Sequence, residues 1–94
     1  MFNFQKDLVN LGSDILTTYE GKNLILKNVH LYNGPVTMQL LPYGGIQSVF
    51  NYNLIIYTKS GFIVPESVIY DNKEMTTKDF ILNNSNLVNY VLGR

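Results

Sequence analysis

The side chains that most often perform catalysis are sparse in this sequence. His30 is its only histidine, and a lone histidine lacks the companions that a catalytic base or a metal site needs. The serines have no base near them in the sequence. Gly44 and Gly45 precede a β pattern, whereas a phosphate-binding loop needs a helix directly after its glycines. The sequence therefore predicts a protein that is not an enzyme and that carries no metal and no cofactor.

Aromatic residues are the more suggestive group. The chain of 94 residues contains seven tyrosines and five phenylalanines but no tryptophan. A tyrosine combines an apolar face with a polar tip, which suits protein interfaces and stacking on nucleic-acid bases. Tyr19, Tyr43, Tyr52 and Tyr57 all fall near predicted turns or strand ends. A binding role and an ordinary structural role both remain open for them.

Charge and composition narrow the class of protein further. The formal net charge is zero, and the six lysines are scattered along the chain, with Arg94 as the single arginine. Proteins that bind nucleic acid in general concentrate basic residues on one surface, so this class is not expected. There is no cysteine, which excludes disulfides and thiolate chemistry. No apolar run approaches the roughly 20 residues that span a bilayer, so a membrane location is not expected either.

The chain length and the N-terminal residues predict the number of domains, the oligomeric state and the location of the protein. A chain this short forms one domain, residues 1–94, and its own core buries a modest share of its surface. Oligomerisation adds burial, so we expect a homo-oligomer. The N-terminal stretch lacks the basic and apolar regions of a secretory signal, which favours a cytoplasmic location.

The elements that would position any site follow from the spacing of the apolar residues. Phe4, Leu8 and Leu11 recur at helical spacing, and Gly12 would end that helix. Alternating patterns then predict strands over 24–31, 36–41, 46–57, 62–64 and 67–71. Residues 71–75 read as a loop, and Thr77 is the expected N-cap of a C-terminal helical segment. The predicted fold class is α+β, with the N-terminal helix packed on a small antiparallel sheet of four to five strands.

One stretch carries a specific turn signal. Residues 55–65 read IIYTKSGFIVP, in which two apolar runs flank a short polar turn. Gly61 supplies the positive φ that such a hairpin turn requires. Pro65 lacks an N–H for a strand ladder and marks the end of the return strand.

The order of these segments resembles a known family. Phe4, Leu8 and Leu11 are followed by YEGKNLILKNV at 19–29, by KSGFIVP at 59–65 and by KDF at 78–80. In this order they resemble the phage Thoeris anti-defence type II family, whose members are small proteins that bind and sequester nucleotide immune signals. Tyr19 stands where a tryptophan is usual in that family, and 81–94 extend beyond its usual end.

The resemblance implies a function and a set of site residues. It implies a non-catalytic sponge for a nucleotide signal, of the cyclic ADP-ribose or cyclic oligonucleotide type, bound between subunits in the cytoplasm of an infected cell. Phe4 and Tyr19 would stack on a base, and Asp79 beside Phe80 would accept from base or ribose. Lys22 or backbone amides would meet phosphates. On this interpretation Tyr19→Ala weakens binding and leaves the fold intact.

Two other functions remain open on the sequence. The first is a small viral inhibitor that binds a host defence protein directly, such as a CRISPR or restriction protein, with exposed tyrosines as its binding hot spots. The second is a structural component of a virion. A deep shared pocket would favour the sponge, and a flat aromatic or acidic surface would favour the inhibitor.

Overall fold

The fold consists of two four-stranded antiparallel sheets and one short helix. The computed structural model describes residues 1–36 and 40–93, to which every structural statement here refers. The first sheet has the strand order β1-β2-β7-β8 and the second has the order β3-β6-β5-β4. The elements are β1 (Ile15–Tyr19), β2 (Lys22–Lys27), β3 (His30–Leu31), β4 (Ile46–Phe50), β5 (Asn53–Thr58), β6 (Gly61–Val64), β7 (Ser67–Tyr70), β8 (Lys73–Thr76) and α1 (Thr77–Leu82).

A bent two-stranded ribbon joins the sheets. β2 pairs with β7 in the first sheet, and β3 pairs with β6 in the second, in one unbroken register. The bend falls at Asn28, whose φ is +50°, and opposite it at Pro65 and Glu66. The Glu66 N–H donates to the Lys27 carbonyl at 2.9 Å, which keeps the strands paired through the bend. Both sheets therefore face one core.

In the first sheet the core takes every second residue of β1, as the pleat of a strand requires, whereas β5 buries three consecutive residues, Leu54 to Ile56. In β1 the residues Ile15, Thr17 and Tyr19 are buried while Leu16 is exposed. The helix α1 adds Phe80 to the same core. The buried apolar residues that form one cluster are Phe4, Ile15, Tyr19, Leu24, Leu26, Val29, Ile46, Leu54, Ile56, Ile63, Val68, Phe80, Leu87 and Leu92.

Both ends of the chain lie along the outer edge of β1. The Phe2 N–H donates to the Leu16 carbonyl at 2.9 Å, and the Gly93 N–H donates to the Thr18 carbonyl at 3.1 Å. Unpaired strand edges invite association with other chains, and these bonds occupy that edge within the molecule. The cleft between the two chain ends is described below.

The predicted fold class was wrong, first because there is no N-terminal helix. Residues 4–6 form only a single turn. The Asn3 side chain accepts from the Gln5 N–H at 3.0 Å, and the Asp7 carboxylate accepts from the Asn3 N–H at 2.9 Å. Such local side-chain bonds compete with helix formation. A helix here would also gain little from packing, because Leu8 and Leu11 are exposed although Phe4 is buried.

The predicted single sheet of four to five strands was wrong as well. The expected strand over 46–57 is interrupted by a turn at Asn51 and Tyr52, which have φ of +50° and +60°. The expected loop at 71–75 is instead a hairpin, turned by Asp71 and Asn72 at positive φ. Asn and Asp tolerate the left-handed region, so they can reverse a chain without glycine. Of the expected strand at 36–41, residues 37–39 lie outside the described residues.

Two local predictions concern the β5–β6 hairpin and the N-cap of α1. The β5–β6 hairpin is confirmed, with Tyr57 opposite Phe62 and Gly61 at a φ of +112°. The expected N-cap was wrong by one residue, because the Thr76 hydroxyl accepts from the Asp79 N–H at 3.0 Å. The Thr77 hydroxyl is buried and donates to the Pro65 carbonyl. Within the described residues, none of the helical structure is long and apolar enough to cross a membrane.

Candidate functional site

Two aromatic residues of the predicted ligand site, Tyr19 and Phe80, lie together in the core. The Tyr19 and Phe80 ring centroids are 5.7 Å apart, and the Tyr90 ring lies 4.6 Å from that of Tyr19. Tyr19 is 1% exposed and Phe80 is fully buried. Burial raises the pKa of Tyr19 to about 12, and the adjacent Glu20 carboxylate adds to that rise. Neither ring offers a free face, so stacking on a base would require the core to open.

Phe4 is also buried, but it lines a cleft between the two ends of the chain. Its ring packs on Gly44, where a Cβ would lie 3.0 Å from Phe4 Cδ2. The half-buried Phe2 ring meets it edge to face at 4.9 Å. The cleft encloses about 390 Å³ and is lined by Met1, Phe2, Asn3, Phe4, Gln5, Val91, Leu92 and Gly93. Its size falls within the range of small-molecule sites, roughly 300–1,000 Å³.

The two charged residues of the predicted site lie outside this cleft. Lys22 follows the β1–β2 turn, and its Nζ is 3.9 Å from the Asp71 carboxylate in an exposed ion pair. Asp79 is exposed in the first turn of α1, where its negative charge is favourable. Of the five predicted site residues, Phe4 alone lines the cleft. Phe2, which the sequence interpretation passed over, offers the more accessible ring, and its position beside Phe4 was the available signal.

The groups able to do acid–base chemistry are also dispersed. His30 Nε2 is 3.7 Å from the Glu66 carboxylate, and both side chains are largely in water. The Asn28 side-chain amide donates to the same carboxylate. Among the described residues no three His, Asp or Glu side chains come close enough to hold a metal ion. These contacts stabilise the bend between the sheets rather than form a recognisable reaction centre.

A second feature is a surface of three exposed leucines around the β5–β6 turn, here called the leucine surface: Leu8, Leu11 and Leu31. Their exposed fractions are 65%, 55% and 46%. The Val9 N–H donates to Ser60 Oγ at 2.9 Å, and the Gly12 N–H donates to the Val29 carbonyl at 2.8 Å. These bonds hold the N-terminal segment against the turn and against Val29, the residue before β3. Large apolar side chains are thus fixed in water on adjacent segments.

The charge around the leucine surface is positive. Lys6 precedes Leu8 on the N-terminal segment, and Lys59 lies in the β5–β6 turn beside Ser60. Both lysines are exposed, and neither forms an ion pair with any residue that the structure describes. Asp7 lies between Lys6 and Leu8 and keeps its negative charge while its carboxylate accepts from the Asn3 N–H, so Lys6, Asp7 and Lys59 together leave a net formal charge of +1. A partner that meets this surface would gain from an acidic side chain.

A third feature is the strained turn between β4 and β5. Asn51 and Tyr52 both have positive φ, which defines a two-residue hairpin turn that favours glycine at its second position. Tyr52 occupies that position and is 50% exposed. Its ring lies under the Lys78 ammonium, with Nζ 4.8 Å from the ring centroid. The contact ties the turn to α1 and offsets part of the strain.

Comparison with known proteins finds no matching family model, no matching curated protein and no matching solved structure. The resemblance to the Thoeris anti-defence proteins therefore stays a prediction. Function has to be inferred from the geometry of the described residues.

Proposed function

We propose that the protein is a non-catalytic binding domain that acts by contact with another protein, through the leucine surface. This is a form of the inhibitor hypothesis in which leucines, rather than the expected tyrosines, are the binding hot spots, and the partner is a host defence protein in the cytoplasm of an infected cell. The observation that carries the proposal is the exposure of Leu8, Leu11 and Leu31 on segments fixed by hydrogen bonds. Fully burying one leucine side chain contributes about 1.5–3 kcal/mol.

The charges suggest the chemistry of the partner. Lys6 and Lys59 stand at the border of the leucine surface without ionic partners among the described residues. Complementary charge speeds encounter and excludes wrong partners. The partner on this proposal presents an apolar patch bordered by Asp or Glu.

A nucleotide signal is the second candidate, and the cleft between the chain ends favours it. Such a ligand, of the cyclic ADP-ribose or cyclic oligonucleotide type, would stack on Phe2 rather than on the buried Tyr19. The cleft is open, so a second copy of the chain would have to cover the ligand, in keeping with the expected homo-oligomer. This candidate ranks second because three of its five expected contacts, Phe4, Tyr19 and Phe80, are buried.

One experiment separates the candidates. A photo-reactive phenylalanine replaces Leu8, and in a matched control it replaces Leu82, which is similarly exposed on α1. We expect irradiation in the source cells to link a distinct protein to position 8 and not to position 82. With that protein purified, Leu8→Ser should weaken binding by about tenfold or more, whereas Leu82→Ser should not.

Calorimetry against cyclic ADP-ribose isomers and cyclic oligonucleotides tests whether the protein binds a nucleotide signal instead. Two results together would reject protein contact in favour of the nucleotide sponge. One of these nucleotides would bind at micromolar concentration and lose that binding in Phe2→Ala, and positions 8 and 82 would crosslink equally. Light scattering on the same samples measures the oligomeric state.

A further inference from the structure

The connection after β3 contains the one Asn-Gly pair of the sequence. There are twelve asparagines, and only Asn33 is followed by glycine. The side-chain amide carbon of an asparagine can be attacked by the backbone nitrogen of the next residue. A glycine in that place leaves the attack unhindered because it has no Cβ.

The surroundings of this pair leave both reacting groups free. Asn33 and Gly34 are exposed. Among the described residues, neither the Asn33 side chain nor the Gly34 N–H has a hydrogen-bond partner. The pair also lies outside the strands, so no ladder holds its backbone.

The structure also explains why the residue after Asn33 is a glycine. The Tyr32 hydroxyl donates to the Pro35 carbonyl at 2.6 Å, which carries the tyrosine ring across Gly34. A Cβ at Gly34 would lie 2.5 Å from Tyr32 Oη and 2.6 Å from Cζ. A residue with a side chain is therefore excluded while the ring keeps this position. The contact that closes the loop therefore favours the same residue that makes Asn33 reactive.

We propose that Asn33 is a site of spontaneous deamidation in the folded protein. The deprotonated Gly34 nitrogen forms a bond to Asn33 Cγ, the bond from Cγ to the amide nitrogen breaks, and ammonia leaves. Water then opens the resulting five-membered succinimide at either carbonyl. The products are aspartate and isoaspartate, and no enzyme, oxidant or metal takes part.

The reaction changes both charge and backbone at this loop. It adds one negative charge to a chain whose formal net charge is zero. Isoaspartate also inserts a methylene into the main chain between Tyr32 and Gly34. Pro35 and Val36 line a shallow depression against β4 together with Ser48, Val49 and Phe50. The altered loop would therefore shift against that strand.

The test is incubation of the folded protein near neutral pH at body temperature, followed by tryptic mapping. Asn33 falls in the tryptic peptide 28–59, and fragmentation separates it from Asn28, Asn51 and Asn53. We expect a mass gain of a single dalton at Asn33, faster than at any other asparagine. Its rate should rise in proportion to hydroxide, because the attacking nitrogen must lose its proton. An isoaspartyl methyltransferase should label the product.

Two controls make the outcome decisive. Asn33→Gln keeps Gly34 under the Tyr32 ring but requires a larger ring closure, so its peptide should stay unchanged. The same protein unfolded in urea gives the deamidation rate of Asn33 in the free chain. The deamidation rate in the folded protein should differ from it by no more than a factor of a few. If the unfolded chain loses Asn33 while the folded protein keeps it, the loop protects the pair and the proposal is overturned. Loss in neither state overturns it equally.

Discussion

Replacing the strained Tyr52 by glycine should make the protein more stable, although it removes a contact. Tyr52 has a φ of +60° at the second position of a two-residue hairpin turn. A side chain in the left-handed region costs about 1–2 kcal/mol. The Lys78 ammonium, 4.8 Å from the ring centroid, returns about 0.5–1 kcal/mol at an exposed site. Tyr52→Gly should therefore raise the free energy of unfolding by up to about 1.5 kcal/mol, with a central value of about 0.75 kcal/mol.

The two contributions can be measured separately in a double-mutant cycle. In a Lys78→Ala background the cation–π contact is already absent, so Tyr52→Gly should there gain the full strain relief of about 1–2 kcal/mol. Urea unfolding followed by circular dichroism suits a chain without tryptophan. A gain of 1 kcal/mol corresponds to a rise in Tm of about 4–8 °C for a domain of this size.

The other turns of the molecule supply the control. The β7–β8 turn carries Asn72 at the equivalent position with a φ of +66°, and asparagine tolerates that region. Asn72→Gly should therefore gain less than Tyr52→Gly. If Tyr52→Gly lowers stability in both backgrounds, backbone strain is not the governing effect. If the two backgrounds give the same change, the Lys78 contact contributes nothing.

Four further predictions test the core, the hairpin and the surface charges. Tyr19→Ala should cost about 3–5 kcal/mol in urea unfolding, because the side chain is 1% exposed, and a cost below 1 kcal/mol would contradict its burial. The pKa of Tyr19 is raised to about 12, so stability should fall as pH rises from about 10 to 12, and Tyr19→Phe should lessen that fall. Gly61→Val should cost on the order of 1–2 kcal/mol at a φ of +112°, and an unchanged Tm would refute the assigned turn. The hydrogen bond from Lys27 lowers the pKa of Asp14 below 3.8, so the ion pair stabilises the fold above that pH and loses this effect as the pH falls below it. The Tm of Asp14→Asn should therefore fall less steeply in acid than that of the unaltered protein. Identical dependence of Tm on acid pH would count against the ion pair.

The burial of the expected ligand contacts shows that tertiary packing determines which side chains are accessible to a ligand. Tyr19 and Phe80 were assigned to a ligand through the family resemblance. Tyr19 also stands near a predicted turn, and a position near a turn is commonly exposed. Here the chain reverses at Glu20 and Gly21 while Tyr19 points inward, so an aromatic residue one step from a turn belongs to the core. Leu8 and Leu11 show the opposite error, since their helical spacing predicted burial and both are exposed.

The sequence by itself determined the features that depend on neighbours along the chain. These features are the β5–β6 hairpin, the positive φ of Gly61 and the alternation of apolar residues along β5. These follow from turn chemistry and a period of two, which a short window contains. Asn and Asp turns were harder to recognise, because those residues reverse the chain in some contexts and extend it in others.

The tertiary structure alone decided how distant segments meet. The pairing of β2 and β3 with β7 and β6 joins residues far apart in the sequence, and no local pattern encodes that partnership. The same pairing divides the strands into two sheets with a shared interior. A period of two shows which residues share a face, but only the packing of the second sheet determines which face is removed from water. For that reason Tyr19 became part of the core and Leu31 became part of the surface.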